Sequence, residues 1–301
     1  MAKILITGGS GLVGNAISKL LLRNGHKPIW LSRETGEFNG IKKYKWDISK
    51  KFIDEKAFED VESIIHLAGA GIADKRWTPE YKKIIIDSRV KSCELLFEYI
   101  LKNNYNIKTL IGGSAVGYYG ALQSDKLFTE EDFPGNDFLA ETCQLWEKSY
   151  QPFINQGTRT VIIRTATVLS NKGGAYTKMV GPYKLGLGAA LGSGKQNFPW
   201  IHINDIAGIY NFVLFNQNSN GVYNAVSSEI INNHDFLKQL AKSYNKPFFL
   251  PNIPEFILKI VMGESSILLS QGVKISNKKI KDLGYTFEFE TAKEALNDLA
   301  K

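Results

Sequence analysis

Cysteine is scarce: Cys93 and Cys143 are the only two in 301 residues. So few thiols exclude a disulfide-stapled scaffold, and nothing around them forms a cysteine-built metal site. They point to a reducing compartment, the cytoplasm. A membrane span is also missing, because the greasiest stretch, Pro251 to Leu269, is interrupted by Pro254, Glu255, Lys259 and Glu264. Blocks of one charge are absent too. Lys+Arg (37) exceed Asp+Glu (30), giving +7, but no run of five or more basic residues occurs. That spread implies solubility and some attraction for anionic ligands, and argues against a nucleic-acid partner. The chain enters an apolar strand almost at once, so no signal or transit peptide is expected. Repeats, low-complexity tracts and long linkers are absent. With 44% apolar and 22% charged residues, the chain has the composition of one large soluble domain, with or without a small lobe.

What the sequence does have is glycine in one place. Lys3 to Gly14 reads Lys-Ile-Leu-Ile-Thr-Gly-Gly-Ser-Gly-Leu-Val-Gly, followed by an amphipathic helix from Leu12 to about Asn24 that Gly25 closes. Strand, glycine turn and helix N-terminus stand in the order a dinucleotide pyrophosphate requires. Glycine lets the phosphates approach the backbone, and the helix end offers free N–H groups and a positive dipole. Thr7, Gly8, Ser10, Gly11, Leu12, Val13 and Gly14 are therefore the expected phosphate-binding residues.

Lys27 to Leu31 reads as strand two, and its end selects the dinucleotide. Ser32 and Arg33 stand where NAD-specific sites usually carry an acid, and a hydroxyl beside a guanidinium suits a 2′-phosphate. NADP is the expected cofactor; with Arg33 solvated and Glu34 or Glu37 on the ribose diol, it is NAD. Strand three, about Lys42 to Trp46, delivers Asp47, either to the adenine amino group or as an isolated loop acid. Strand four, Ser63 to Leu67, carries His66 as a core histidine and ends in Ala68-Gly69-Ala70-Gly71. Leu67 to Ala70 are expected to pass close to the ribose and nicotinamide half. Lys75, Arg76 and Trp77 follow on a loop, and Thr78-Pro79 starts a long helix to about Leu101.

Strand five, Lys108 to Gly112, runs into Ser114-Ala115-Val116-Gly117-Tyr118-Tyr119-Gly120. A helix begins near Asp137, and strand six spans Thr160 to Arg164. The alternation predicts an α/β fold, a right-handed doubly wound parallel sheet. Gly173 to Gly194 has the composition of a mobile or closely approached substrate loop, with Lys184 and Lys195 placed for an anionic substrate or for water. Trp200 to Asp205 returns to strand and opens a helix. The C-terminal part, with helices near Asn233 to Tyr244, Pro254 to Met262 and Thr291 to Ala300, is a lobe on the first domain.

These motifs resemble the extended, nucleotide-sugar-epimerase-like short-chain dehydrogenase/reductases. Thr7 to Gly14, Leu67-Ala68-Gly69, the stretch 114–120 and Ile201-His202-Ile203-Asn204-Asp205 carry the likeness. Arg76-Trp77, Ser88-Arg89-Val90, Cys143-Gln144-Leu145-Trp146-Glu147, Gly186-Leu187-Gly188, Leu191-Gly192-Ser193-Gly194 and Gly284-Tyr285-Thr286-Phe287 are similar to an atypical "epimerase family" branch, family 39U. The resemblance spans the whole chain. It implies a Rossmann domain over 1–165 joined by 202–226, and a smaller, mostly helical substrate lobe from 166–201 and 227–301. It further implies a bound NADP, Arg89 among the cofactor residues, a small-molecule substrate that is anionic or nucleotide-sugar-like, and a homodimer through helices around 79–101 and 138–154.

One departure stands out. Members of the superfamily carry Tyr-x-x-x-Lys on the helix after strand five, where a lysine and the cofactor's positive ring lower a phenol pKa from about 10 toward neutrality. Matching Glu147 to the acid one turn further on puts Leu139 at the tyrosine position and Cys143 at the lysine position. Cys143 has no cationic partner in sequence and reads as an inert buried thiol. The usual serine falls on Ala115, or on Ser114 if one residue is inserted. Ser114, Tyr118 and Tyr119 are the candidate catalytic residues, with His202 as a further titratable group; a structural role is the alternative for each. The implied function is an NADP-dependent oxidoreductase or epimerase with a non-standard acid/base, or a non-catalytic NADP-binding or sensing protein.

Overall fold

The computed structural model describes residues 1–301. Seven parallel strands form its centre: β1 (Lys3–Thr7), β2 (Lys27–Ser32), β3 (Ile41–Asp47), β4 (Val61–His66), β5 (Thr109–Ala115), β6 (Arg159–Thr165) and β7 (Gly221–Ala225). Across the sheet they run β7-β6-β5-β4-β1-β2-β3, with a short antiparallel strand, Gly36–Phe38, outside β3. β1 is central, Leu5 pairing with Ile29 on one side and Ile64 on the other. Its near-continuous apolar run fits a strand covered on both faces.

Successive side chains point to opposite faces, so β1 feeds two cores. Ile4 and Ile6 join a cluster with Ile17 of α1 (Leu12–Arg23), and Leu5 joins one with Leu96 of α2 (Pro79–Lys102) and Trp146 of α3 (Phe138–Lys148). Ile4, Leu5 and Ile6 are completely buried, and each contributes roughly 1.5–3 kcal/mol by leaving water. A third cluster packs α4 (Ala175–Lys184), α6 (Asn233–Ser243) and α8 (Ala292–Leu299) together. The remaining longer helices are α5 (Ile203–Phe215), on the β1 face with α1, and α7 (Glu255–Met262). No helix is long and apolar enough to cross a membrane.

The caps stand where the sequence put them. Thr78 accepts from Tyr81 N–H ahead of Pro79, Asp137 accepts from Ala140 N–H, and Thr291 with Glu294 forms a capping box. Three segments depart from the sequence reading. Residues 175–184 are helix α4, not loop: Gly174 turns in at φ +78°, and burial of Tyr176, Val180 and Tyr183 outweighs Pro182 in the last turns. The helix expected over 138–154 breaks after Lys148, and a separate short helix, Gln151–Asn155, carries Pro152 in its first turn. β7 went unread because its five residues alternate weakly; pairing with β6 makes it a strand.

His66 is a core residue, its two ring nitrogens bonded to the Tyr150 and Ser92 hydroxyls at 3.0 and 2.8 Å. His202 caps α5, its Nδ1 accepting from Asn204 N–H. Burial, reinforced by Arg89, pushes His66 down to about 3, and burial pushes His202 down to about 4. Both stay neutral in the folded chain, whereas the unfolded chain protonates them near pH ~6.5. The unfolded state then binds more protons below that pH, so stability falls as pH falls. We expect a loss of about 1.4 kcal/mol per pH unit for each histidine between pH ~6.5 and ~4. Urea unfolding at about pH 7, 6 and 5 measures it, with burial raising the Asp205 carboxyl to about 6 and so offsetting one histidine's slope below that pH; a net gain in stability on acidification would show that the folded imidazoles accept protons.

Candidate functional site

The turn after β1 is shaped by what a side chain would strike. Gly8 has φ +67°, and a Cβ there would lie 2.6 Å from Leu67 O. A Cβ on Gly14 would lie 2.5 Å from Gly8 O, so this glycine seats α1 against the turn. Gly9 covers the indole of Trp30, whose Nε1 donates to Ser18 Oγ at 2.8 Å; a Cβ on Gly9 would lie 2.2 Å from Trp30 Cδ1. Gly11 is exposed, and its Cβ would meet only Gly8 O, at 3.2 Å. The helix's first internal bond is Asn15 N–H to Gly11 O. The N–H groups of Leu12, Val13 and Gly14 therefore point out of the helix unpaired, toward the open side of Gly11. This cradle fits a pyrophosphate.

Thr7 does something other than expected. It is completely buried, and its Oγ1 accepts from Leu67 N–H and Ala68 N–H, both at 3.1 Å. Thr7 ties β1 to the end of β4 and has no free face for a ligand. The same bonds occupy the Leu67 and Ala68 N–H groups, while Ala70 N–H donates to Ser88 Oγ. Of the donors in this segment only the Gly69 N–H stays unpaired, so Leu67 to Ala70 form a wall rather than a row of donors.

At the end of β2, Ser32 Oγ accepts from Glu34 N–H, and Arg33 is exposed with no ion pair. Arg33 is free for an anion. Asp47 closes its own turn, Oδ1 accepting from Ser49 N–H, Ser49 Oγ–H and Lys50 N–H. The Ser49 hydroxyl, then the Lys50 amide, hold this carboxyl below its usual range.

The nicotinamide side is where the sequence candidates fare worst. Ser114 is buried and donates to Glu147 Oε1 at 2.6 Å. Tyr119 is buried, donates to Asn224 Oδ1 and accepts from Arg164. Burial pushes this phenol up to about 12 despite Arg164. Both belong to the framework, because α3 and β6 bring Glu147 and Arg164 onto them. Tyr118 differs: it is half-buried under the Arg164 guanidinium, 3.3 Å from its ring centre, and its hydroxyl has no partner within the chain.

Leu139 and Cys143 face the turn after β5, a Cβ on Gly117 lying 3.3 Å from Leu139 Cβ and 3.8 Å from Cys143 Sγ. Burial pushes the Cys143 thiol up to about 12, with Glu147 adding to the effect, so it is neutral and inert at pH 7. The sequence reading missed the bidentate Glu147–Arg164 pair, with bonds of 2.8 and 2.9 Å. It also missed that Arg89 is half-buried against the segment after β4. No group of three or more His, Cys, Asp or Glu stands together to hold a metal ion. A cleft of about 1100 Å³ runs from Ser10–Leu12 past Lys19 and Arg23 to Lys172, His202 and Tyr285; it shares only the phosphate turn with the expected site.

Comparison with known proteins agrees with this geometry. The NAD dependent epimerase/dehydratase family matches residues 4–225, and a domain of unknown function (DUF1731) matches 253–299. The chain is 33% identical over 304 residues to epimerase family protein SA0724 of Staphylococcus aureus strain N315, covering 100% of both. It is 32% identical over 302 residues to the mouse epimerase family protein SDR39U1, covering 99% of both. The crystal structure of human epimerase family protein SDR39U1 (isoform 2) with NADPH superposes at a TM-score of 0.88, with 29% identity and 99% of each chain covered.

Proposed function

The chain belongs to the NAD-dependent epimerase/dehydratase family, and from that premise we propose that it binds NADP(H) and acts as an oxidoreductase or epimerase without a tyrosine-lysine dyad. The observation carrying this reading is the pair formed by the open cradle at the N-terminus of α1 and the unpaired Arg33 at the end of β2. The cradle takes the pyrophosphate, and Arg33 with Ser32 takes a 2′-phosphate. The human relative's complex with NADPH supports the choice of cofactor.

Bound, the cofactor supplies a hydride donor or acceptor. The chain's own residues orient it and shield it. Leu67 to Ala70 form the wall beside the reacting half, and Leu139 and Cys143 keep the former dyad positions apolar and neutral. Tyr118 is the one remaining candidate whose hydroxyl is free to move a proton. Losing a positioned acid/base costs about 10²- to 10⁴-fold, and orientation of the reactants alone supports slow catalysis.

The neutral Leu139 and Cys143 also favour a second reading, a protein that holds NADP without hydride transfer. One experiment addresses both. NADPH and NADH are titrated into ligand-free protein, wild type and Arg33→Asp. We expect NADPH to bind at least about tenfold tighter, a difference of about 1.4 kcal/mol, and Arg33→Asp to abolish the preference. If neither nucleotide binds, the reading fails. The wild type is then given NADPH labelled with deuterium at the transferable position and a panel of carbonyl and nucleotide-sugar substrates. Transfer of label supports the enzyme; binding with no transfer supports the holding protein.

A further inference from the structure

Arg89 is a guanidinium without a counterion. It lies in α2, and its Nη1 donates to Ile85 O at 2.7 Å; it forms no ion pair. Its Cζ stands 4.9 Å from the Trp146 ring centre, a cation–π contact that supplies no negative charge. The side chain lies on the backbone after β4. A Cβ on Gly69 would be 3.0 Å from its Cζ and 3.1 Å from its Cγ, so glycine there makes room for the guanidinium.

The groups that sense this charge are His66, Tyr81, Cys143 and Tyr150, and none can neutralise it. His66 is a neutral imidazole; burial raises the two phenols and the thiol above their ordinary values. The nearby carboxylate, Glu147, is held by Arg164. Burial lowers the Arg89 pKa, yet a guanidinium stays protonated at neutral pH. The site therefore carries an uncompensated positive charge.

Its place in the sheet says which part of a ligand feels that charge. Strand order reverses between β1 and β4; the first half, with Arg33, receives the adenine side, and the second receives the nicotinamide side. Arg89 touches the segment after β4 and senses α3, which follows β5, so it belongs to the second half.

Resting on the proposal that the chain binds NADP(H), we propose that Arg89 is a specificity-determining residue that makes the site prefer the reduced cofactor. NADPH and NADP⁺ share every phosphate and differ in the positive charge of the oxidised ring. A fixed cation on that side disfavours NADP⁺ by like-charge repulsion.

The test is the ratio of NADP⁺ to NADPH dissociation constants, measured by titration calorimetry on wild type, Arg89→Gln and Arg89→Lys. The expected wild-type ratio is about ten, equivalent to about 1.4 kcal/mol. Arg89→Lys keeps most of it, and Arg89→Gln brings it within about twofold of unity. A wild-type ratio below about threefold, or a ratio that Arg89→Gln leaves unchanged, overturns the inference while leaving cofactor binding intact. Failure of both forms to bind overturns the cofactor reading and this one with it. If Arg89→Gln does not fold, the wild-type ratio against that of Arg89→Lys decides, a lysine ratio near unity counting against a charge effect.

Discussion

Replacing Glu147 with alanine is expected to cost about 3–5 kcal/mol of stability. Arg164 is 3% exposed, and its guanidinium is satisfied mainly by two bonds to the Glu147 carboxylate. Removing the carboxylate leaves the cation buried above Tyr118 with only the Tyr119 hydroxyl and Glu130 O as acceptors. It also frees the Ser114 hydroxyl, which now donates to Glu147. The loss should come from the stranded charge, so a Glu147→Leu, Arg164→Met double variant should recover most of it. Urea unfolding of the three proteins checks this; a single variant within about 1 kcal/mol of wild type would show that water reaches and solvates Arg164.

Gly9→Ala is the second large effect. Its Cβ would lie within the Trp30 indole, 2.2 Å from Cδ1 and 2.4 Å from Nε1. Trp30 is 1% exposed and anchored by Ser18, so the turn must lift or the ring must swing and break that bond. We expect about 3 kcal/mol lost to overpacking, and NADPH affinity reduced about tenfold or more as the cradle moves. Equal thermal midpoints and NADPH affinities for Gly9→Ala and wild type would show that the turn is plastic.

Much of the turn after β1 was legible because its signals are local. A strand, four glycines and a helix start within twelve residues describe the cradle, since backbone freedom and free N–H groups are properties of adjacent residues. Thr7 shows the limit: its position in the motif was plain, but its role was set by Leu67 and Ala68, which follow β4. Gly9 shows it again, because no local pattern says that Trp30 lies beneath it.

The nicotinamide half was less legible. That residues 139 and 143 of α3 are leucine and cysteine could be read directly, but what Ser114 and Tyr119 do could not. Glu147 and Arg164 come from different elements, and their pairing turned two candidate catalytic groups into framework. Arg89 reads in sequence as one more helix arginine.

The sequence by itself determined the doubly wound sheet, the glycine turn after β1, the arginine after β2 and the leucine and cysteine at positions 139 and 143. Each is a matter of period, spacing or residue type within a short segment. Only the tertiary structure decided which polar groups are already satisfied and which charge stands alone. A hydrogen bond or an unpaired cation is a relation between residues far apart in the chain, and it exists only once the sheet has brought α2, α3 and β6 together.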